Sequence, residues 1–284
     1  MVKKLSQHSL QVVKHAELRE PMTKDYPSNL TREEYALLEE LLPAAKPGGR
    51  PRTVDLFDIV NAILYVLVEG IRWRALPGDF PPWQTVYTYF RNWCKDGTWR
   101  AIHDRLYQWN RLESGRCGSP SEAIIDSQSV KSAAGLHEAI GYDGGKQIKG
   151  RKRFIVVDTL GLLLQVMVVA ANVGEQTGAR AVLERVWQMG RAVCRLRIIW
   201  ADGGFGGKPL SQWAMDCYRW VIQVVLRPEE SRGFEVVKQR WKVERTFGWL
   251  MHCRRLVRDY EQLPETSETF IYLAMIRIMV RRLA

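Results

Sequence analysis

At "RLESGRCGSPS", residues 111 to 121, the apolar pattern of this 284-residue chain changes period. Before it, apolar residues recur at three-to-four spacing; after it, they fall into short β-type runs separated by helical stretches. A period that switches from 3.6 to 2 predicts a helical part followed by a mixed α/β part. The segment itself is polar and glycine-rich, a linker by composition. With 46% hydrophobic residues, the chain has enough apolar material for two unequal modules.

Residues 1 to 28 show little periodicity and read as a mobile arm. Thr31 with Glu34 forms a capping-box pattern that opens the helix "TREEYALLEELL". In "TVDLFDIVNAILYVLVEGI", Leu56, Ile59, Val60, Ile63, Leu64 and Leu67 mark the apolar face of a buried helix that Gly70 closes. Two further helices, "WQTVYTYFRNWCKDG" and "TWRAIHDRLYQWN", complete an expected all-α module over 29–110. Beyond the linker, residues 122–284 predict the order β-β-β-α-β-α-β-α, with a final helical region from about Glu235. That order predicts a mixed sheet with helices on its faces.

Lys and Arg number 42 against 31 Asp and Glu, a formal net charge of +11. The excess favours a polyanionic partner, although a basic enzyme with no such partner has the same balance. The five cysteines are dispersed without a CxxC pair, which excludes a structural zinc array and suits a reducing cytosol. The first twenty residues lack the apolar core of a signal peptide, and the apolar runs fall short of the roughly 18 residues of a membrane span. A cytoplasmic chain without a membrane partner is expected.

Asp126 closes "AIID", Asp202 closes "RIIWAD" and Asp158 closes "FIVVD". An acid at the carboxyl edge of a strand can face a cleft, and it equally suits a turn or a helix cap. Glu244 comes later, in "WKVERTFGWL", which has helical periodicity. Carboxylates converging from two strands and a helix would suit Mg²⁺ or Mn²⁺ rather than zinc, and two such ions about 4 Å apart serve phosphodiester chemistry. At about 100° per residue, Arg240, Gly248 and Arg255 share the stripe of Glu244, whereas Lys242 and Arg245 do not. The same spacing also describes an ordinary Arg240–Glu244 ion pair.

These segments resemble a family. "IIDSQSVK", "KGRKRFIVVDTLGLLL", "ADGGFGG" and "RWKVERTFGWLMHCRRLVRDYE", with "GIRWRALP" in the helical part, are similar in order and spacing to the DDE transposases of bacterial insertion sequences, in the insertion-sequence-five group. The resemblance implies a ribonuclease-H-like mixed sheet with flanking helices, preceded by a small helix-turn-helix-like module. It implies Asp126, Asp202 and Glu244 as catalytic metal ligands for two Mg²⁺ or Mn²⁺ ions, and it sets Asp158 aside. The implied activity is binding of double-stranded DNA at terminal inverted repeats, cleavage, and joining of the 3′-hydroxyl to target DNA, by a homodimer or larger synaptic complex in the bacterial nucleoid. A nuclease without strand transfer, or an idle DNA-binding regulator, are the alternatives.

The implied DNA contacts are Lys131, the dense run Lys146, Lys149, Arg151, Lys152 and Arg153 before a strand, and Arg240, Arg254 and Arg255. Such basic residues would track the backbone and carry no sequence information. Three positions depart from the family pattern: Phe154 stands where histidine is usual, Val237 where tyrosine is, and Met251 where lysine is. Arg254 or Arg255 would then supply the missing basic group. Sequence reading would fall to "WQTVYTYFRNW", with Gln84, Thr85, Thr88 and Arg91 exposed and its aromatics in the core.

Overall fold

A computed structural model of the chain describes residues 24–45, 52–135, 138–225 and 239–284. Most of the expected arm, Val237 and the start of the expected final helical region lie outside the described residues.

Among the described residues four α-helices precede the sheet: α1 (Arg32–Glu39), α2 (Leu56–Glu69), α3 (Trp83–Lys95) and α4 (Thr98–Glu113). The capping box forms as expected, with Thr31 Oγ1 accepting from the Glu34 amide at 3.1 Å and Glu34 accepting from the Thr31 amide at 3.0 Å. Gly70 ends α2 with φ of 69°, and a Cβ there would lie 2.9 Å from the Cβ of Arg254. Only glycine meets both demands, the left-handed turn and the close approach of a distant segment. Helix α4 runs past Asn110 into the expected linker because Arg111 has a buried role: its guanidinium pairs with Asp158, and its Nε donates to the Cys117 carbonyl at 2.7 Å.

The six-stranded sheet contains β1 (Glu122–Lys131), β2 (Gly141–Asp143), β3 (Ile148–Asp158), β4 (Leu163–Ala170), β5 (Ile198–Ala201) and β6 (Val221–Val224). The order is β4-β3-β1-β5-β6, with the short β2 on the same edge of β3 as β4. Strand β3 runs antiparallel to β1, β2 and β4, while β1, β5 and β6 are mutually parallel. This is the expected mixed sheet. Two boundaries differ from the sequence reading. Asp126 does not end β1, since β3 pairs with that strand from Ala123 to Lys131; and β3 starts at Ile148, so the basic run from Lys149 to Arg153 lies inside a strand.

Five further α-helices follow among the described residues: α5 (Glu175–Trp187), α6 (Lys208–Tyr218), α7 (Trp241–Met251), α8 (Arg254–Val257) and α9 (Pro264–Leu283). The Phe154 ring fixes α5 on one face of the sheet; a Cβ on Gly178 of α5 would come within 2.1 Å of that ring. Phe154, which stands where the family pattern has histidine, is fully buried there. The Arg153 side chain, on the other face, donates to the Leu256 carbonyl at 2.7 Å and ties α8 there. Helix α9 returns to the start of the chain, against α4, α2, α1 and β4. Asn110 Nδ2 donates to the Met279 carbonyl at 3.1 Å, and Arg277 donates to the Pro27 carbonyl at 3.0 Å. Residues 24–28, counted with the arm from sequence, are thereby held, and Tyr26 further donates to Asp79 at 3.1 Å. Among the described residues no helix is long and apolar enough to cross a membrane, and all five cysteines are free.

Candidate active site

The sheet itself brings the two aspartates together. Strand β5 pairs with β1 only from Glu122 to Ile124, where Ile124 lies opposite Trp200. Continuing that parallel register by two residues sets Asp126 level with Asp202, at the point where the β1 edge is left without a neighbouring strand. An acid inside a long strand thus reaches a cleft because the adjacent strand is short, a feature invisible in its own segment. Asp202 follows β5 directly and caps a 3-10 turn, its Oδ1 accepting from the Gly204 amide at 2.9 Å. Asp126 Oδ1 accepts from the Ser127 amide at 2.7 Å.

Glu244 stands in the first turn of α7, which lies against β1 and β3. Arg240, the residue preceding that helix, joins the two elements: its Nη2 lies 3.7 Å from Asp202 Oδ2 and 3.5 Å from Glu244 Oε1. The i,i+4 pair foreseen from spacing is real, and the same guanidinium also holds the strand-end acid. Burial, and secondarily the charge of Asp202, push the Asp126 carboxyl up to about 6, against the Ser127 amide and the charges of Arg240 and Lys146. Opposite Gly248, on the Glu244 stripe, a Cβ would meet nothing within 4 Å, which leaves room for a ligand.

All three acids offer oxygen donors of the kind hard divalent cations take, and a guanidinium already lies between two of them. The donor chemistry therefore fits such an ion. Among the described residues, however, no three His, Cys, Asp or Glu side chains stand close enough to hold one ion together as arranged.

Glu175, which the sequence did not single out, stands beside this site as the first residue of α5. Its Cγ lies 3.4 Å from where a Cβ on Gly204 would be, and its Oε1 accepts from Lys152 Nζ at 3.1 Å. Its Oε2 is buried with no hydrogen-bond partner among the described residues. No local signal marks it, since an acid in the first turn of a helix is ordinary. Asp158, in contrast, is fully buried at the far end of β3, accepting from the Leu160 and Leu162 amides at 2.9 Å and pairing with Arg111. Its place is structural.

The expected basic DNA contacts divide sharply. Lys131, Lys146, Lys149 and Arg254 are exposed, and Arg240 is half-buried at the acids. Arg151, Lys152 and Arg153 are buried and do not form an exposed cluster, which corrects the sequence reading. Arg151 donates to the Glu138 carbonyl at 2.7 Å and to the Gln262 carbonyl at 2.6 Å, and pairs with Asp259 at 3.3 Å. Lys152 reaches the Val173 carbonyl at 3.0 Å and Glu175. The physical cause is their position in a strand covered on both faces, where each long side chain finds partners far along the chain. Arg255 is also buried, donating to Glu261 at 2.7 Å and to the Ile71 carbonyl at 2.8 Å. Its expected place on the Glu244 stripe fails because α7 stops at Met251 and Cys253 is extended, so helical phase is lost before residue 255. Arg254 is left as the exposed basic residue following Met251. In α3, Gln84 and Thr88 are exposed and Thr85 and Arg91 half-buried, while Phe90 and Trp93 belong to the core.

Residues 30–103 match a family described as a putative transposase of the IS4/5 family, and residues 118–279 match the transposase DDE domain. The putative transposase for insertion sequence element IS402 of Burkholderia cepacia is 29% identical over 128 residues, 44% of this chain and 60% of that protein. This chain therefore spans less than two thirds of that relative's length. The IS402 uncharacterized 16.2 kDa protein of the same organism is 31% identical over 114 residues, 38% of this chain and 75% of that protein. A solved piggyBac transposase synaptic complex with hairpin DNA aligns over 80% of this chain and 52% of that one at 14% identity, and its TM-score of 0.38 is too low to bear on the site.

Proposed function

This chain belongs to the DDE transposase family, and on that premise we propose that it cuts DNA at the ends of its element and joins the freed 3′-hydroxyl to target DNA. Asp126, Asp202 and Glu244 are the proposed catalytic acids. The observation that carries the reading is Arg240, whose guanidinium spans the strand-end acid Asp202 and the helix acid Glu244. An isolated surface ion pair would engage one carboxylate only.

The three carboxylates would hold two divalent ions, Mg²⁺ or Mn²⁺, which when bound supply activation of the attacking oxygen and stabilisation of the leaving one. Arg240 pairs with Asp202 and Glu244 and would meet a phosphate at the same point. Lys146, Lys149 and Lys131, exposed near the β2–β3 end of the sheet, would hold the duplex by its backbone. The net charge of +11 supports a polyanionic partner. Bringing two element ends together would require a dimer or larger assembly.

The test is Glu244→Gln on DNA carrying the element's own terminal repeats. Wild type should cleave and join with Mg²⁺, and Glu244→Gln should still bind but lose both steps, by roughly 10²- to 10³-fold in rate, the scale of removing a key charge-stabilising group. Retained joining would sink the assignment of Glu244. Cleavage without joining by wild type would mark a nuclease, and binding with neither step a regulator.

A further inference from the structure

Helix α7 has a second stripe that the acids do not use. Trp241, Arg245 and Trp249 follow one another at four-residue spacing, about 40° apart around the helix. The guanidinium of Arg245 lies 4.4 Å from the Trp241 ring centre and 4.5 Å from that of Trp249, sandwiched between two indoles. Arg282 of α9 lies 4.6 Å from the Trp249 ring and extends the series. The turn between β3 and β4 fixes the inner rungs: Arg245 Nη2 donates to the Leu160 carbonyl at 2.9 Å and Thr246 Oγ1 to the Gly161 carbonyl at 2.8 Å. A Cβ on Gly161 would stand 3.2 Å from the Trp249 ring, so the fit is close. Trp241, the outer rung, remains 37% exposed, and Arg282 is exposed.

The charges around this ladder are unbalanced. Half-buried Lys242 faces the cations Arg116 and Arg245 and the acids Glu122 and Asp158. Arg282 faces Arg245 and Asp158. Neither acid pairs directly with these cations: Glu122 accepts the Trp200 indole at 2.8 Å and Asp158 is buried against Arg111. Among the described residues, Arg116, Lys242, Arg245 and Arg282 make no ion pair within 4.0 Å. Cations that outnumber the acids around an exposed indole, among the described residues, are complementary to a polyanion that also offers flat aromatic faces.

We propose that this ladder is a docking surface for an unpaired DNA strand, with one base stacked on Trp241 and the adjoining phosphates against Lys242, Arg116 and Arg282. An intact duplex hides its base faces within its own stack, so an exposed indole favours the unpaired form. The inference rests on the reading of the chain as a DNA-processing protein, whose cuts would create such strands.

The experiment measures anisotropy of a fluorescein-labelled thymidine oligonucleotide with the full chain in EDTA, beside a duplex of equal length. Trp241→Ala should weaken binding of the oligonucleotide about 10-fold and leave the duplex unchanged, while Trp241→Phe should restore most of the loss. Lys242→Ala with Arg282→Ala should lower the salt slope for the oligonucleotide by about 1.4, at about 0.7 per phosphate contact. Wild type that fails to bind the oligonucleotide, Trp241→Ala with unchanged affinity, or equal losses on both DNAs would each overturn the proposal. Should Trp241→Ala melt early, the charge pair decides alone, an unchanged slope overturning the proposal. Metal-free binding keeps this test apart from cleavage. Wild type that never cuts DNA, yet shows the Trp241 effect, would sink the cleavage reading and leave the docking surface standing.

Discussion

Arg151 and Lys149 are two residues apart on β3 and have different surroundings. Lys149 is exposed where β3 meets β2, whereas Arg151 is fully buried and satisfied by Glu138, Gln262 and Asp259. Asp259 is itself buried and accepts from Ser267 at 2.8 Å and from the Glu261 amide at 3.0 Å. Removing the arginine leaves a charge stranded in the interior, so Arg151→Ala should cost about 3–5 kcal/mol in urea unfolding. Lys149→Ala should leave the unfolding midpoint in place and reduce the salt slope of duplex binding by about 0.9. An Arg151→Ala protein of normal stability that had lost only DNA affinity would contradict the burial account. At this scale the sequence shows the charge but not its partner, because Asp259 lies 108 positions away.

Among the elements, types were legible and phases were not. The helices α1 to α4 follow their apolar spacing, and the capping box and the Gly70 stop appear as their residues dictate. The wheel drawn through Glu244 holds inside α7 and fails past Met251, where the chain breaks helix before Arg255. Strand β1 likewise outlasts the acid taken as its end, since pairing with β3 carries it on to Lys131. Helix α5 docks on β3 through Gly178, where any Cβ collides with the Phe154 ring at 2.1 Å. Gly178→Ala should therefore lower stability by about 1–3 kcal/mol despite alanine's better helix propensity of roughly 1 kcal/mol. Adding Phe154→Leu should recover part of that loss in thermal melts; strictly additive losses would show that the two positions are uncoupled.

The molecule as a whole is closed by its last helix. Phe270 of α9 stacks on Phe90 of α3 with ring centres 4.9 Å apart, and Asn110 bonds to the Met279 carbonyl. A fragment of residues 24–113 lacks this lid and should show little cooperative unfolding by circular dichroism, with a peptide of residues 264–284 restoring it. A fragment that melts cooperatively alone would make the helical part an independent domain. The sequence by itself determined most of the helices and strands and the mixed sheet they build, and the family resemblance singled out three candidate acids, because periodicity, caps and motif spacing are local and one-dimensional. Only the tertiary structure decided that β5 stops short and opens the edge at Asp126, that Arg240 bridges Asp202 and Glu244, and that three of the five residues of the basic run are core. Those outcomes depend on which distant group arrives opposite a residue, and burial and electrostatics act across space rather than along the chain.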